Sequence, residues 1–217
     1  VSQVPEVAEE LIDPPLLRKN MEARPGIATP VIRADTKPLA KRLLDRFGTY
    51  ANVISAAPED LRSVNGVGES VLATLKIVRD AAVRLARHEL TQRDVISSWQ
   101  QLIDYCRTSM GRENVEQFRL FFLDRKNALI TDEEQQRGTV DQTAVYPREV
   151  VKRALELNAS AIIMVHNHPS GDTTPSRGDI EMTRMVKEAC EKIGITLHDH
   201  VIISARGETS FRSLGHL

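Results

Sequence analysis

Five consecutive apolar residues, Ala161–Val165, run straight into His166-Asn167-His168-Pro169-Ser170-Gly171-Asp172, and Ser176-Arg177-Gly178-Asp179 follows. A short apolar run bounded by a polar loop is the pattern of a strand covered on both faces. Side chains alternate along extended backbone, so His166 and His168 point to one side and both imidazoles can reach one ion. Pro169, Gly171 and Pro175 turn the chain, and the segment Ser176–Asp179 opens a helix. That path returns Asp179 to the histidines as an anionic third group. Two imidazoles, one carboxylate and an open fourth position make the ligand set of a catalytic divalent metal site. Such an ion lowers the pKa of its water toward ~7 and polarises a carbonyl. Ser176 has a second reading as a helix N-cap, with Asp179 at N3 favouring the helix dipole. An isolated H-x-H is common on surfaces; its specificity here comes from the conjunction of strand, turn and helix start.

The rest of the chain supplies an α/β or α+β frame from about residue 95 to 217. A helix capped by Ser97 carries Trp99, Leu102, Ile103 and Cys106, and a strand follows over Phe118–Asp124. Arg125-Lys126-Asn127 turns into a partner strand over Ala128–Asp132, and Gly138–Val145 reads as another strand. Pro147 opens a helix ended by Asn158. A helix over Ile180–Lys192 ends at Gly194, before strands at Thr196–Ser204 and Thr209–Arg212. Ahead of this frame, residues 35–92 read as helical. Leu39, Leu43, Leu44 and Phe47 form a stripe that Gly48 stops, and short helices follow over Tyr50–Ala57 and Pro58–Ser63. A long helix then runs from Glu69 to about Arg87. Residues 1–34 hold five of the ten prolines and read as an irregular arm.

Composition narrows the class. Cys106 and Cys190 are the two cysteines, with no C-x-x-C pair, so the chain reads as reduced, cytoplasmic and carrying two core thiols. No stretch approaches the ~20 apolar residues of a membrane helix, and none resembles a signal peptide. Twenty-nine basic residues against thirty acidic ones exclude a chain that binds nucleic acid by bulk charge. Locally, Arg33–Glu89 holds ten basic residues against seven acidic. Within it, Asn65, Gly66 and Gly68 form a glycine turn between two helices, flanked by Arg62 and Lys76. That turn has two readings: a cradle of backbone N–H groups for a DNA phosphate, or a tight link between packed helices. The H-E-x-x-H motif of zincins and the H-x-E/P-C-x-x-C motif of nucleobase deaminases are both missing. Asp199-His200 reads as a buried hydrogen-bonded pair that supports the fold.

The spacing of His166, His168, Ser176 and Asp179 matches H-x-H, seven residues, S-x-x-D in full, and so resembles the JAMM metalloprotease motif of the JAB/MPN superfamily. Phe122-Leu123-Asp124, Tyr146-Pro147-Arg148-Glu149-Val150, the segment His166–Asp172 and Asp199-His200 resemble its RadC branch, bacterial proteins named for DNA repair. The likeness spans about 97–217, with a weaker match over 35–90. It implies a JAB/MPN mixed sheet flanked by helices, preceded by a small all-helical helix-hairpin-helix domain. It implies zinc on His166, His168 and Asp179, Glu116 as general base, and Ser176 as a stabiliser of the oxyanion. Glu113, Glu133 and Glu134 also lie upstream, and spacing does not separate them from Glu116. The reaction implied is hydrolysis of a peptide or isopeptide amide. The alternatives are a DNA-bound repair factor whose metal acts on nucleic acid, and a metal-stabilised assembly module. RadC-like chains usually carry a longer apolar helical stretch where this chain has its proline-rich residues 1–34.

Overall fold

The computed structural model describes residues 36–91, 94–137 and 145–217. The arm over 1–34 and nearly all of the strand expected over Gly138–Val145 lie outside the described residues. The chain divides into two compact units, with the division after Leu75.

In the first unit, helix α1 (Lys37–Phe47) has Thr36 at its N-cap and Pro38 in its first turn, and Gly48 closes it at φ 82°. Helix α2 (Tyr50–Ser55) is capped by the Thr49 hydroxyl, which accepts from the Asn52 N–H. After α3 (Pro58–Arg62) the chain turns into α4 (Glu69–Thr91). Leu43, Val53, Leu61, Val64 and Leu72 form the core of this unit. Where the sequence reading ends the helical domain near residue 92, the compact units divide inside α4. The reason is that Val83, Ala86 and Leu90 of its later turns pack against the core of the second unit.

That second unit adds α5 (Trp99–Ser109), β1 (Gln117–Leu123), β2 (Leu129–Arg137), α6 (Pro147–Glu156), β3 (Ala161–Asn167), α7 (Arg177–Glu191), β4 (Thr196–Ile203) and β5 (Glu208–Ser210). The strands make one mixed sheet in the order β2-β1-β3-β4-β5, in which only the β3–β4 pair, joined through α7, is parallel. All seven residues of β3 are buried. Alternation divides them between two cores. Ile163 and Val165 meet Phe121, Tyr105 and Leu102 on the face that carries α4 and α5. Ile162 and Met164 meet Phe118, Val150 and Val186 on the face that carries α6 and α7.

Two local expectations change. Strand β2 continues five residues past Asp132, to Arg137. An edge strand needs only one partner, and its charged side chains find ion pairs: Glu133 with Arg153, and Glu134 with Arg119. The N-cap of α5 is Ser98 rather than Ser97. Both hydroxyls donate to the Asp94 carbonyl and close the preceding turn instead of capping.

Candidate metal centre

His166 is the penultimate residue of β3 and is 1% exposed; His168 sits just beyond the strand, on the same side by alternation. The loop then leads to Ser176, where a capping box starts α7. The Ser176 hydroxyl accepts from the Asp179 N–H at 3.1 Å, and the Asp179 carboxylate accepts from the Ser176 N–H at 2.8 Å. The box holds Asp179 against the histidines. His166 Nε2 lies 3.4 Å from Asp179 Oδ1, His168 Nε2 lies 3.8 Å from Asp179 Oδ2, and the two Nε2 atoms are 3.0 Å apart. The expected trio is therefore brought together, with ligand atoms all within 4.8 Å of one another.

The donor chemistry of this trio fits a cation. His168 Nδ1 lies 2.6 Å from the Asp172 carbonyl, which can only accept, so that nitrogen carries a hydrogen and it is Nε2 whose lone pair the neutral ring would offer. His166 Nδ1 is likewise engaged, 2.7 Å from His200 Nε2. Burial pushes the His166 pKa down to about 4 against the raising influence of Asp179, which keeps the ring neutral. With both Nδ1 atoms engaged elsewhere, the two Nε2 atoms and the Asp179 carboxylate face one point. Tetrahedral ligands at Zn–N distances of ~2.0–2.1 Å stand roughly 3.3 Å apart. The imidazole separation of 3.0 Å and the 3.4 Å from His166 to Asp179 Oδ1 lie close to that edge, while His168 is nearest the other carboxylate oxygen, at 3.8 Å.

Glu116 lies half-buried immediately before β1, two residues ahead of Phe118. Phe118 is the cross-strand partner of His166, and their rings stack with centroids 6.2 Å apart. The three competing glutamates stand elsewhere. Glu133 and Glu134 are on β2, beyond β1 from the ligand strand, and Glu113 is ion-paired with Arg79. The segment carrying Glu116 is pinned by Asn167, the residue between the two histidines. Its Oδ1 accepts from the Gln117 N–H at 2.7 Å, and its Nδ2 donates to the Val115 carbonyl at 3.2 Å. Gly111 starts the same segment where a Cβ would stand 2.8 Å from the Arg107 carbonyl oxygen, so only glycine lets the chain pass.

The sequence reading missed Asn167, which looked like a spacer between the histidines. It also left His200 as half of a structural pair. Asp199 does hold the C-terminal segment, accepting from Ser210 Oγ and from the Arg212 N–H at 3.0 Å. His200, wholly buried, donates its backbone N–H to the Asp199 carboxylate at 2.8 Å, so the pair is buried and hydrogen-bonded as expected, and its ring in addition touches His166. His198 shares its i, i+2 spacing yet goes to Asn127, at 2.8 Å. A register shift explains the divergence: Ile162 pairs with Leu197 and Ile163 with Asp199, so His198 is the extra residue. A bulge of that kind re-aims side chains, and here it turns His200 onto the face of Met164 and His166. The available signal was a histidine inside the otherwise apolar end of a strand. Cys106 and Cys190 are buried thiols, as expected.

Of the residues expected to meet DNA, Asn65, Gly66 and Gly68 form the turn before α4, with Gly66 at φ 96°. Arg62 is ion-paired with Glu69 at 2.9 Å. Lys76 falls in the second unit, half-buried. Arg42 was not singled out, but its Nε donates to the Asn65 carbonyl at 3.0 Å. Among the described residues no helix is long and apolar enough to cross a membrane.

Residues 96–216 match the family of the RadC-like JAB domain. A UPF0758 protein of Ruegeria pomeroyi is 60% identical over 185 residues, covering 85% of this chain and 83% of the relative. A UPF0758 protein of Rhodobacter capsulatus is also 60% identical over 185 residues, covering 85% and 86%.

Proposed function

Because the chain belongs to the RadC-like JAB domain family, we propose that it is a JAMM-type hydrolase that cleaves a peptide or isopeptide amide with zinc held by His166, His168 and Asp179. One observation carries the reading: His166 Nε2, His168 Nε2 and the Asp179 carboxylate converge, while both Nδ1 atoms are engaged elsewhere. When bound, the metal supplies Lewis acidity, acidifying water and polarising the substrate carbonyl.

The chain's own groups do the rest. The Glu116 carboxylate takes the proton of the attacking water and returns it to the leaving amine nitrogen. Strand parity supports this role, since two residues before Phe118 is the face on which Phe118 stacks with His166. Asn167 holds the Glu116 segment in register with the ligand strand through its bonds to Gln117 and Val115. The Ser176 oxygen is occupied by its cap, but its O–H remains a donor that can meet the developing oxyanion. The test begins with metal analysis: wild type should carry one ion per chain, and His166→Ala or His168→Ala should carry none. Glu116→Gln should then keep the ion and lose amide hydrolysis by ~10²–10⁴-fold. A wild type without stoichiometric metal would overturn the reading, and a fully active Glu116→Gln would remove Glu116 as base.

A second reading, DNA-backbone binding by the first unit, draws support from Arg42, whose guanidinium lies at the Gly66 turn. It predicts salt-sensitive binding of duplex DNA that Arg42→Ala weakens. No retention of DNA at low salt would end it.

A further inference from the structure

His166 can serve as a ligand through Nε2 only if its ring hydrogen stays on Nδ1, so whatever meets Nδ1 governs the site. For His168 the corresponding partner is the Asp172 carbonyl, a permanent acceptor. For His166 it is another imidazole, His200 Nε2 at 2.7 Å, which can accept or donate according to its own tautomer. His200 Nδ1 in turn lies 2.6 Å from Thr183 Oγ1, and that hydroxyl donates to the Asp179 carbonyl at 2.6 Å. The carbonyl takes the hydroxyl hydrogen, so the Thr183 oxygen must accept from His200 Nδ1–H. A neutral ring has one N–H, which leaves His200 Nε2 bare, and it accepts from His166 Nδ1–H. His200 is wholly buried, stacked on Phe211 at 4.4 Å with Phe118 at 5.9 Å, surroundings that favour an uncharged ring.

We propose that Thr183 and His200 are positioning residues that fix the tautomer of His166, so that the helical turn supplying the Asp179 carboxylate also turns the His166 lone pair toward it. The proposal rests on the reading of His166 as a metal ligand. The relay is closed, running from the Asp179 carbonyl through Thr183 and His200 to His166, and back to the Asp179 carboxylate across 3.4 Å. It depends on the register shift at His198, without which His200 would face the other core. Partners of this kind are ordinarily worth 10–100-fold in metal affinity.

The test reads the tautomer directly. Long-range ¹H–¹⁵N correlation on metal-free, ¹⁵N-histidine-labelled protein should show His166 with a protonated Nδ1 and a bare Nε2. Thr183→Val, nearly isosteric, should leave His166 in mixed tautomers and weaken Zn²⁺ binding by about 10–100-fold in competition titration. Thr183→Ser should restore both. His200→Gln, which can accept from His166 and donate to Thr183, should retain more affinity than His200→Leu. An unchanged His166 tautomer and unchanged Zn²⁺ affinity in Thr183→Val would overturn the proposal, as would equal losses in Thr183→Ser. If the wild type binds no Zn²⁺, the metal reading fails by itself, and the metal-free spectra still decide whether the relay sets the tautomer.

Discussion

On the sheet face that carries α4 and α5, Asp132 accepts from the Tyr105 hydroxyl at 2.6 Å and pairs with Arg87 at 2.7 Å and Arg119 at 2.5 Å, its side chain 2% exposed. On the face that carries α7, Asp179 meets two imidazoles whose Nδ1 hydrogens point away from it. Both faces set a carboxylate among polar side chains, Asp132 buried and Asp179 half-buried, and the hydrogens decide what each cluster is. Around Asp132 the hydroxyl and both guanidinium groups are donors, so the carboxylate charge is answered within the protein and in that sense the cluster is finished, although the buried Arg119 Nε has no acceptor. Around Asp179, on the metal reading proposed above, the imidazoles offer lone pairs, and that leaves the cluster open to a cation from outside. Counting acids and histidines does not separate the two; assigning each hydrogen does.

The largest expected effect breaks the finished cluster. Asp132→Ala leaves Arg119 and Tyr105 facing an empty acceptor site, and should cost about 3–5 kcal/mol in urea unfolding. Asp179→Asn keeps an acceptor for the Ser176 N–H, so the metal-free protein should lose at most about 1 kcal/mol. Equal losses at the two positions would erase the distinction. The next effect is metal addition. At one hundred times its Kd, Zn²⁺ should add about 2.7 kcal/mol to the wild type. The gain should vanish in Asp179→Asn and His168→Ala and reverse with a chelator, which thermal unfolding would read. A gain that survives His168→Ala would point to another site. Smaller again is Asn167→Ala, which strands the buried Gln117 N–H at a cost of about 1–3 kcal/mol. It should lower kcat while leaving metal stoichiometry at the wild-type value; metal loss instead would mean that Asn167 supports the ligands and not the Glu116 segment.

The two faces also differ in how much of them the sequence carries. β3, the ligand pair and the start of α7 were legible because each is local: an apolar run, an i, i+2 spacing and a cap with its N3 residue. The Asp132 cluster was not, since its members come from α4, α5, β1 and β2 and no spacing links them. His200 and Thr183 stayed hidden for a related reason. Their meeting with His166 needs the parallel β3–β4 pairing and a one-residue shift within it, neither of which leaves a periodic trace. β2 was read as ending at Asp132 because the Glu-Glu-Gln-Gln-Arg continuation looks like loop when its ion-pair partners are not yet in view.

The smallest expected effect concerns acid. Burial raises the Asp132 pKa, but the hydrogen bonds from Tyr105 and Arg87 and the charge of Arg119 outweigh it and hold the carboxyl below its ordinary value. The folded protein therefore holds this proton less tightly than the unfolded chain, so Asp132 contributes its full stability above the ordinary aspartate range of about 3.9. That contribution is lost as pH falls through the lowered folded value. His166, its pKa lowered by burial to about 4, titrates in the same range, so the measurement is a difference: unfolding free energy of wild type minus that of Asp132→Asn, metal-free, from pH 6 downward. The gap should stay level to about pH 4 and then narrow. A gap that widens under acid would mean that Asp132 is protonated more readily in the folded protein, and its cluster would then be no more finished than the one around Asp179.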